Sequence, residues 1–282
     1  MSGRTQMTDA NTSASTSYLL EEPERFRRET ARLRLQAEKL FHFEMPSLIN
    51  HGIAKAQNLL ELGCGNGGFL LEISKAYPNC QCAGADRNES LLSQARLASP
   101  AVRFHCVNLA DKLKLADVIT GERPDYLAAR YVLQHMAPSE YASMLSTIRM
   151  NKLSKARLLL MDTDDRLVRI TPHCPALSEL LRRKNEKQLK EHGDRTVGGR
   201  LADLLRASGF QSIVESSVEF SSAKIGWDDW DAIFWPVISA AVINSKSDDD
   251  AELIRNARKW LRSARTSEHH YASFTIKHAS GI

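Results

Sequence analysis

The sequence contains no apolar run close to the roughly 20 residues that a membrane-spanning helix requires. Residues 1–17 lack the apolar centre of a secretory signal and the arginine-rich pattern of a transit peptide, so we expect a disordered, Ser/Thr-rich tail there. The five cysteines are an odd and scattered set, which is typical of a reduced protein. We therefore predict a cytoplasmic protein with no membrane partner and no metal site.

Neither sign of charge is in large excess, since the net charge is only +4. The densest basic run, residues 182–190, has the composition of one helix with its charges spread around it, and we interpret it as a solvated helix face. The alternative is a nucleic-acid-binding patch. Because no aromatic side chains are interleaved to stack on bases, the sequence argues against a nucleic-acid partner.

The chain does contain enough apolar material for a sizeable core, with 43% hydrophobic residues in a length of 282. One large domain with insertions and two domains are both compatible with this length. Short apolar runs alternate with helical patterns, which predicts an α/β fold, a parallel sheet with helices on both faces. The predicted strands lie near residues 58–62, 81–86, 102–107, 125–129, 156–162, 212–220 and 271–277.

Helical segments flank the predicted sheet. Apolar residues recur at helical spacing from Glu22 to about Ala54, which predicts a helical lid ahead of the first strand. A later aromatic segment, with Trp227, Trp230 and Phe234, has the spacing of a packed helix more than that of a ligand-binding wall, although both can hold. The predicted divisions are a lid at 18–57 and a main domain at 58–282 with lid insertions near 163–197 and 225–265.

The segment 58–69 is a short apolar strand, a turn with four glycines and an amphipathic helix. Glycine adopts positive φ and lets the backbone approach a ligand closely, so this turn favours a nucleotide-like ligand. Gly63, Gly65 and Gly68 satisfy the dinucleotide-binding spacing, which is a weak signal by itself. Glu61 ends the strand, where a hydride-transferring enzyme needs only apolar packing, and this acid favours another cofactor.

Polar side chains also follow the next strands of the predicted sheet. Asp86 ends the second strand, where an acid can accept hydrogen bonds from both hydroxyls of a ribose. Asn108 follows the third strand, and its amide can hydrogen-bond an adenine edge. Arg130 and His135 follow the fourth. Because the carboxyl ends of parallel strands meet at one edge, these residues are expected to share a crevice.

These motifs resemble those of class I S-adenosylmethionine-dependent methyltransferases, in particular the quinone and natural-product branch that acts on small molecules. The run from Glu61 to Gly67 matches the family's first motif, and Asp86 matches its ribose-binding acid. The segment after the fourth strand in that branch is similar to residues 130–135, and its late helix with a glycine turn is similar to residues 198–210. The element that precedes its core is similar to residues 32–36. The resemblance covers nearly the whole chain from about residue 18 onward.

The resemblance implies a Rossmann-like, seven-stranded, mostly parallel sheet whose last strand is antiparallel and lies between the fifth and the sixth. It implies S-adenosyl-L-methionine as the cofactor and a small-molecule metabolite that accepts the methyl group at oxygen, nitrogen or carbon, in a monomer or homodimer. The cofactor-binding residues that it implies are Tyr18, Arg32, Gln36, Glu61, Gly63, Cys64, Gly65, Asp86, Arg87, Asn108, Leu109 and Arg130.

Two departures from the family pattern stand out. Asn108 occupies the adenine-contacting position that is usually acidic, so it offers hydrogen bonds without a negative charge. Residues 151–155 replace the familiar Pro-Gly-Gly turn before the fifth strand. Neither departure removes a residue needed for chemistry.

Methyl transfer from a sulfonium needs little covalent help, because aligning the acceptor with the methyl group supplies most of the acceleration. His135 is the predicted catalytic base, since an imidazole titrates near neutral pH and this one lies just beyond the fourth strand. The alternative for His135 is a helix-entry histidine held by packing or by a backbone carbonyl.

Two other functions remain open at the level of sequence. One is methylation of RNA or protein, although the Asn-Pro-Pro-Tyr type of signature is missing after strand four, where Arg130 to Leu133 stands instead. The other is a protein of the same fold that binds the cofactor without transferring its methyl group, because fold and socket would be unchanged.

Overall fold

The computed structural model describes residues 23–243, 245 and 247–282. The predicted tail and Tyr18 lie outside these residues. The strands are β1 (Asn58–Leu62), β2 (Gln81–Asp86), β3 (Arg103–Cys106), β4 (Tyr126–Arg130), β5 (Arg157–Thr163), β6 (Arg169–Thr171), β7 (Val214–Ser221) and β8 (Tyr271–Gly281). The helices are α1 (Pro23–Asn50), α2 (Gly68–Ala76), α3 (Glu89–Ala98), α4 (Lys112–Glu122), α5 (Pro138–Asn151), α6 (Pro175–Lys190), α7 (Leu201–Ala207), α8 (Ser222–Ile225), α9 (Trp227–Ser239) and α10 (Asp248–Ala264).

The strands form one sheet in the order β3-β2-β1-β4-β5-β8-β6, with β7 on the free edge of β8. Strands β1 to β5 pair in parallel, and β8 runs antiparallel to β5. Strand β7 pairs with β8 from Val214 opposite Ser280 to Ser221 opposite Ser273. The last strand therefore lies between the fifth strand and the one predicted as the sixth. This confirms the Rossmann-like α/β fold with its antiparallel final strand.

The sequence predicted seven strands, and the structure has eight among the described residues. Strand β6, Arg169–Thr171, lies inside the first predicted insertion and pairs with residues 271–273 of β8. It shares the edge of β8 that β5 uses, so β8 links the parallel half of the sheet to the insertion. Three residues are too few for a period of two to be recognised in a sequence, which explains why the pattern did not reveal this strand.

Two apolar layers cover the faces of the sheet. In β1, Leu60 and Leu62 belong to the layer that includes α4 and α5, whereas Leu59 belongs to the layer that includes α1 and α2. Side chains alternate along a strand, so Glu61 faces the same side as Leu59, beneath α1. An acidic side chain on an otherwise apolar face is thus placed under the helical lid.

The aromatic helix α9 is part of the core. Trp230 is fully buried, and Phe234 stacks on Phe274 of β8 with ring centroids 4.4 Å apart. Trp227 contacts Trp260 of α10 edge-on. These contacts confirm the prediction that the aromatic residues of this segment are spaced as in a packed helix. Among the described residues, no helix is both long and apolar enough to cross a membrane.

A buried network of histidines and serines joins α1 to strands β7 and β8. Ser47 lies 2.7 Å from Nδ1 of His278, and His51 bonds Ser216 through Nε2 and Ser280 through Nδ1, both at 2.8 Å. Burial lowers the pKa of His51 to about 4 and that of His278 to about 3, and the charges of His278 and Arg157 depress the pKa of His51 further. Both imidazoles are therefore neutral in the folded protein at ordinary pH.

This network predicts sensitivity to acid. A histidine whose native pKa lies below the unfolded value of 6.5 stabilises the fold fully above pH 6.5 and loses that contribution as pH falls toward the native value. We expect the free energy of unfolding of the wild type, relative to His278→Asn, to fall by about 1 kcal/mol per pH unit between pH 6 and 4. Urea denaturation at several pH values measures this difference, in which other titrating groups cancel.

The control is His42→Gln, which changes an exposed residue of the same helix, α1. Because this side chain is exposed, the stability difference between the wild type and the variant should stay constant over the same pH range. A constant difference for His278→Asn as well would contradict the prediction.

Candidate functional site

The glycine turn after β1 is held against the end of β2 by its own backbone. Gly63, Gly65 and Gly67 have φ values of 74°, 53° and 72°, in the left-handed region. The amides of Gly63 and Cys64 donate to the carbonyl of Ala85 at 2.7 and 3.1 Å. These two amides are therefore engaged by β2.

Gly63 has a second steric reason to lack a side chain. A Cβ at this position would lie 2.3 Å from a methyl group of Val132, which follows β4. The next residue back, Tyr131, has a φ of 58° and is half-buried, with its hydroxyl enclosed. The turns after β1 and β4 therefore fit each other, and both border the same space.

Asp86 is fixed at the end of β2 by two backbone amides. Its carboxylate accepts from Gly65 at 2.8 Å and from Asn88, the N-cap of α3, also at 2.8 Å. Burial raises the pKa of Asp86, while these two hydrogen bonds lower it. The predicted ribose-binding acid is thus rigidly placed between the glycine turn and α3.

A cavity of about 670 Å³ opens at the carboxyl ends of β1, β2 and β4, a volume in the range of small-molecule sites. The predicted residues that line it together are Gln36, Glu61, Gly63, Cys64, Gly65, Asp86, Arg87, Asn108, Leu109, Arg130 and His135. Arg32 is absent from the lining but is bonded to Gln36, and Tyr18 lies outside the described residues. The sequence thus placed nearly all its candidate site residues around one cavity.

The floor of the cavity carries buried charges. Arg130 donates to Glu44 of α1 at 3.0 Å, and its guanidinium lies 4.4 Å from the centroid of the Tyr131 ring. One oxygen each of Glu44 and Glu61, and Nε of Arg130, are buried without a partner among the described residues. Burial raises the pKa of Glu61 well above its usual range, and Arg130 opposes that shift. Unpaired buried groups of this kind are costly unless a ligand completes them.

Glu44 was missed by the sequence analysis. It is fully buried in the last third of α1, between apolar neighbours such as Phe43 and Met45. A lone acid on the apolar side of an amphipathic helix is the signal that marks it.

Helix α1 closes one side of the cavity. Arg32 donates to Gln36 at 2.7 Å and forms a two-point contact with Glu29 at 2.8 and 2.6 Å. Arg32 and Gln36 therefore share one helix face, as their spacing predicts. Asn66 of the glycine turn donates to the carbonyl of Thr30 at 3.0 Å, which ties the lid to the turn.

The segment after β3 borders the other end of the cavity. Asn108 accepts a hydrogen bond from the amide of Ala110 at 3.0 Å through its side-chain oxygen. Its amide nitrogen is consequently the group best suited to a base edge, as a donor. Leu109 is buried beside it and supplies apolar contact.

His135 lines the cavity and is held by α6. Nε2 of Gln188 donates to the carbonyl of Gln134 at 2.7 Å and to Nδ1 of His135 at 3.0 Å. Nδ1 therefore accepts, and the hydrogen of the neutral ring is on Nε2. Burial, followed by the charges of Arg195 and Lys184, lowers the pKa of His135 to about 3. This environment suits a hydrogen-bond donor better than a base.

Residues 59–151 match a family described as "Methyltransferase domain". The match covers β1 to α5, about a third of the chain, and includes the glycine turn, Asp86, Asn108 and Arg130. It confirms, for this segment, the predicted family of class I S-adenosylmethionine-dependent methyltransferases.

Known proteins are similar over limited stretches. A trans-aconitate 2-methyltransferase of Acidovorax sp. (strain JS42) is 34% identical over 55 residues, which are 20% of this chain and 21% of that protein. An O-methyltransferase family protein of Burkholderia thailandensis is 18% identical with a TM-score of 0.47, over 64% of this chain and 55% of that one. Human N-acetylserotonin methyltransferase, solved with SAM, is 18% identical with a TM-score of 0.47, over 65% and 52%. The chain thus spans about a fifth of the length of the curated relatives it matches.

The fit between the turns after β1 and β4 predicts a steep cost for a side chain at Gly63. We expect Gly63→Ala to destabilise the protein by about 2–4 kcal/mol, because a methyl group meets Val132 and the backbone must keep a positive φ. Val132→Ala should recover part of this loss by removing the clash. Thermal and urea denaturation measure both effects.

Gly121→Ala is the matched control. A Cβ at Gly121 meets nothing within 4 Å, and the residue lies in α4, so this change should stabilise the protein by about 0.5–1 kcal/mol. Equal stability changes at Gly63 and Gly121 would rule out the steric role of Gly63.

Proposed function

We propose, on the premise that residues 59–151 form a class I methyltransferase domain, that the protein transfers a methyl group from S-adenosyl-L-methionine to a small-molecule acceptor. The observation that carries the proposal is the set of acids that line the cavity. Glu61 and Asp86 lie beside the glycine turn, and Glu89 and Glu140 lie at the starts of α3 and α5, against Arg87 and Arg130. Of these acids, Glu89 is paired with Arg96.

This charge fits S-adenosylmethionine better than a dinucleotide. The cofactor carries an ammonium and a sulfonium against one carboxylate, so its net charge is positive, whereas a dinucleotide brings a doubly negative pyrophosphate. Buried acids favour a cation and repel a phosphate at such short range. The unpaired oxygens of Glu61 and Glu44 and the unpaired Nε of Arg130 would be completed by an ammonium and a carboxylate.

The start of α2 also argues against a pyrophosphate. A dinucleotide usually places that group at the helix N-terminus after the glycine turn. Here Asn66 accepts from the amide of Gly68 at 3.3 Å and is itself bonded to Thr30 of the lid. The position is thus partly filled by this chain's own side chain.

The remaining cofactor contacts follow from the geometry of the cavity. We assign Asp86 to the ribose hydroxyls, and Asn108 with the backbone amide of Leu109 to the adenine edge, with Arg87 alongside. Arg130, with Gln36 and Arg32 above it, would hold the amino-acid end. Tyr18 is proposed to close over the cofactor from the lid side.

The cofactor supplies an electrophilic methyl group on a cationic sulfur. The protein's part is to place the acceptor in line with that group and to exclude water, which is where most of the acceleration can arise. Helix α1 covers the cavity, and His135 offers a hydrogen-bond donor at its acceptor end. We therefore propose that His135 positions the acceptor by donating a hydrogen bond to it. General base catalysis by this residue is the alternative.

Methylation of RNA or protein, and cofactor binding without transfer, remain alternative functions. The acid-rich cavity edge does not favour a nucleic acid, whose phosphates it would repel. A cytoplasmic location and a monomeric or homodimeric state are proposed on the sequence evidence alone.

Calorimetric titration tests the cofactor assignment. We expect S-adenosylmethionine and its demethylated product to bind, and NADH not to bind. Asp86→Ala should weaken binding by about 10–100-fold, because two ribose hydroxyls lose a charged acceptor. Asp117→Ala, which removes an exposed acid of α4, should leave affinity within about 2-fold. Binding of NADH without S-adenosylmethionine, or unchanged affinity in Asp86→Ala, would refute the assignment.

Histidine NMR separates the two roles of His135 without a known acceptor. With the demethylated cofactor bound, we expect His135 to stay neutral from pH 5 to 8 with its hydrogen on Nε2, since its pKa is lowered to about 3. His135→Gln identifies the resonance. A titration midpoint between pH 6 and 8 would instead support the base role.

A further inference from the structure

Lys184 on α6 is a buried cation without a partner. Its side chain is 8% exposed, and its Nζ makes no hydrogen bond among the described residues. The basic run 182–190 was interpreted as a solvated face, and Lys184 is the residue that contradicts this interpretation. The neighbouring residues Arg182 and Arg183 agree with this interpretation, because both form ion pairs with Glu179.

Lys184 lies close to His135, whose pKa its charge lowers, although Lys184 does not itself line the cavity. Gln188, four residues later on the same face of α6, holds both Gln134 and His135. His135 in turn lines the cavity, together with Met136 and Glu140. Lys184 is thus one helical turn from the contact that orients the candidate catalytic residue.

Other cations surround the same position, but they are compensated. Arg195 forms a two-point contact with Asp165 at 2.6 and 3.0 Å and also bonds Gln134. Arg32 contacts Glu29 and Gln36. Burial, and next the charge of Arg195, hold the pKa of Lys184 well below its usual range. The charges of Asp165 and Glu29 oppose this shift, but neither carboxylate hydrogen-bonds Nζ of Lys184 among the described residues.

An unpaired buried ammonium is a poor way to stabilise a fold. An apolar side chain of the same length would fill the space without the desolvation cost. A lysine in this place makes physical sense where a negative group completes it in another state of the protein.

We propose that Lys184 binds an anionic oxygen group of the methyl acceptor, a carboxylate or a phosphate, with Arg195 and Arg32 adding positive potential around it. The proposal rests on the proposed function, because that function makes the bound molecule a methyl acceptor. The existence of the anion site does not depend on it. It names the substrate class: a small molecule with a negative group, which Lys184 anchors while the molecule's reacting atom faces the cofactor near His135.

The test uses the full chain saturated with S-adenosylhomocysteine, so that the cofactor site is filled and no transfer occurs. Benzoate, cinnamate and glutarate are titrated by calorimetry against their neutral amides, and inorganic phosphate is titrated separately. We expect at least one carboxylate, or phosphate, to bind at least 10-fold more tightly than the neutral compounds. Preference for carboxylates over phosphate identifies an acid acceptor, and the reverse identifies a phosphate ester.

Lys184→Met should abolish this preference, reducing affinity for the anion at least 10-fold while leaving affinity for S-adenosylhomocysteine unchanged. Lys187→Met, on the exposed side of the same helix, should change neither. Lys184→Met should also raise the melting temperature by about 2–4 °C, because it removes a buried amine that makes no hydrogen bond among the described residues. Lys187→Met should leave the melting temperature within about 1 °C.

The proposal would be overturned if the wild type showed no preference for any anion, or if Lys184→Met showed the same preference as the wild type. It would also be overturned if Lys184→Met lowered the melting temperature, because that result would assign Lys184 a structural role. Failure of the proposed function has a different signature. In that case the wild type fails to bind S-adenosylmethionine or its product, whereas an anion site would still be detected in the cofactor-free protein.

Discussion

The hydrogen bonds that fasten the glycine turn to the end of β2 support the whole site. Gly63 and Cys64 share the carbonyl of Ala85, and Gly65 holds the carboxylate of Asp86. The left-handed φ of these glycines is what brings their amides to β2. If the turn relaxed, Asp86 would lose one of its two anchors, and the contact between Gly63 and Val132 would no longer align the turns after β1 and β4. The cavity is thus a consequence of local backbone geometry more than of its side chains.

The charges of the site divide into two regions. Acids gather beside the glycine turn, around Glu61 and Asp86, where a cationic ligand would be stabilised. Cations gather behind His135, where Lys184 and Arg195 act on its ring without lining the cavity. Such a division orients a pair of oppositely charged ligands toward each other before any reaction begins. It also explains why His135 is held neutral, since four positive groups make a further charge there unfavourable.

The parts of the structure that depend on local sequence were predictable. Strand bounds agree to within a few residues, except at the end of the longer β8, and Asp86 and Asn108 follow their strands because parallel strands end at one edge. Glu44 and Lys184 were not predictable in this way, since their roles depend on which helix face is buried, and that is decided by residues distant in sequence. His135 is similar: its protonation depends on Gln188 and on α6, more than fifty residues away along the chain.

Strand β8 is the partner of β5, β6 and β7, and among the eight strands it is the last to be synthesised. The five parallel strands can pair as they leave the ribosome, each beside an earlier one or a near neighbour in sequence. Strands β6 and β7 have no ladder to join until β8 has emerged. Their edges, and the face of α9 that packs on Phe274 of β8, stay unpaired for that interval, which makes the second half of the chain the part most exposed to misassociation during synthesis. The contact of Gln188 with His135 is likewise made after the glycine turn and β2 have paired, because α6 follows both along the chain.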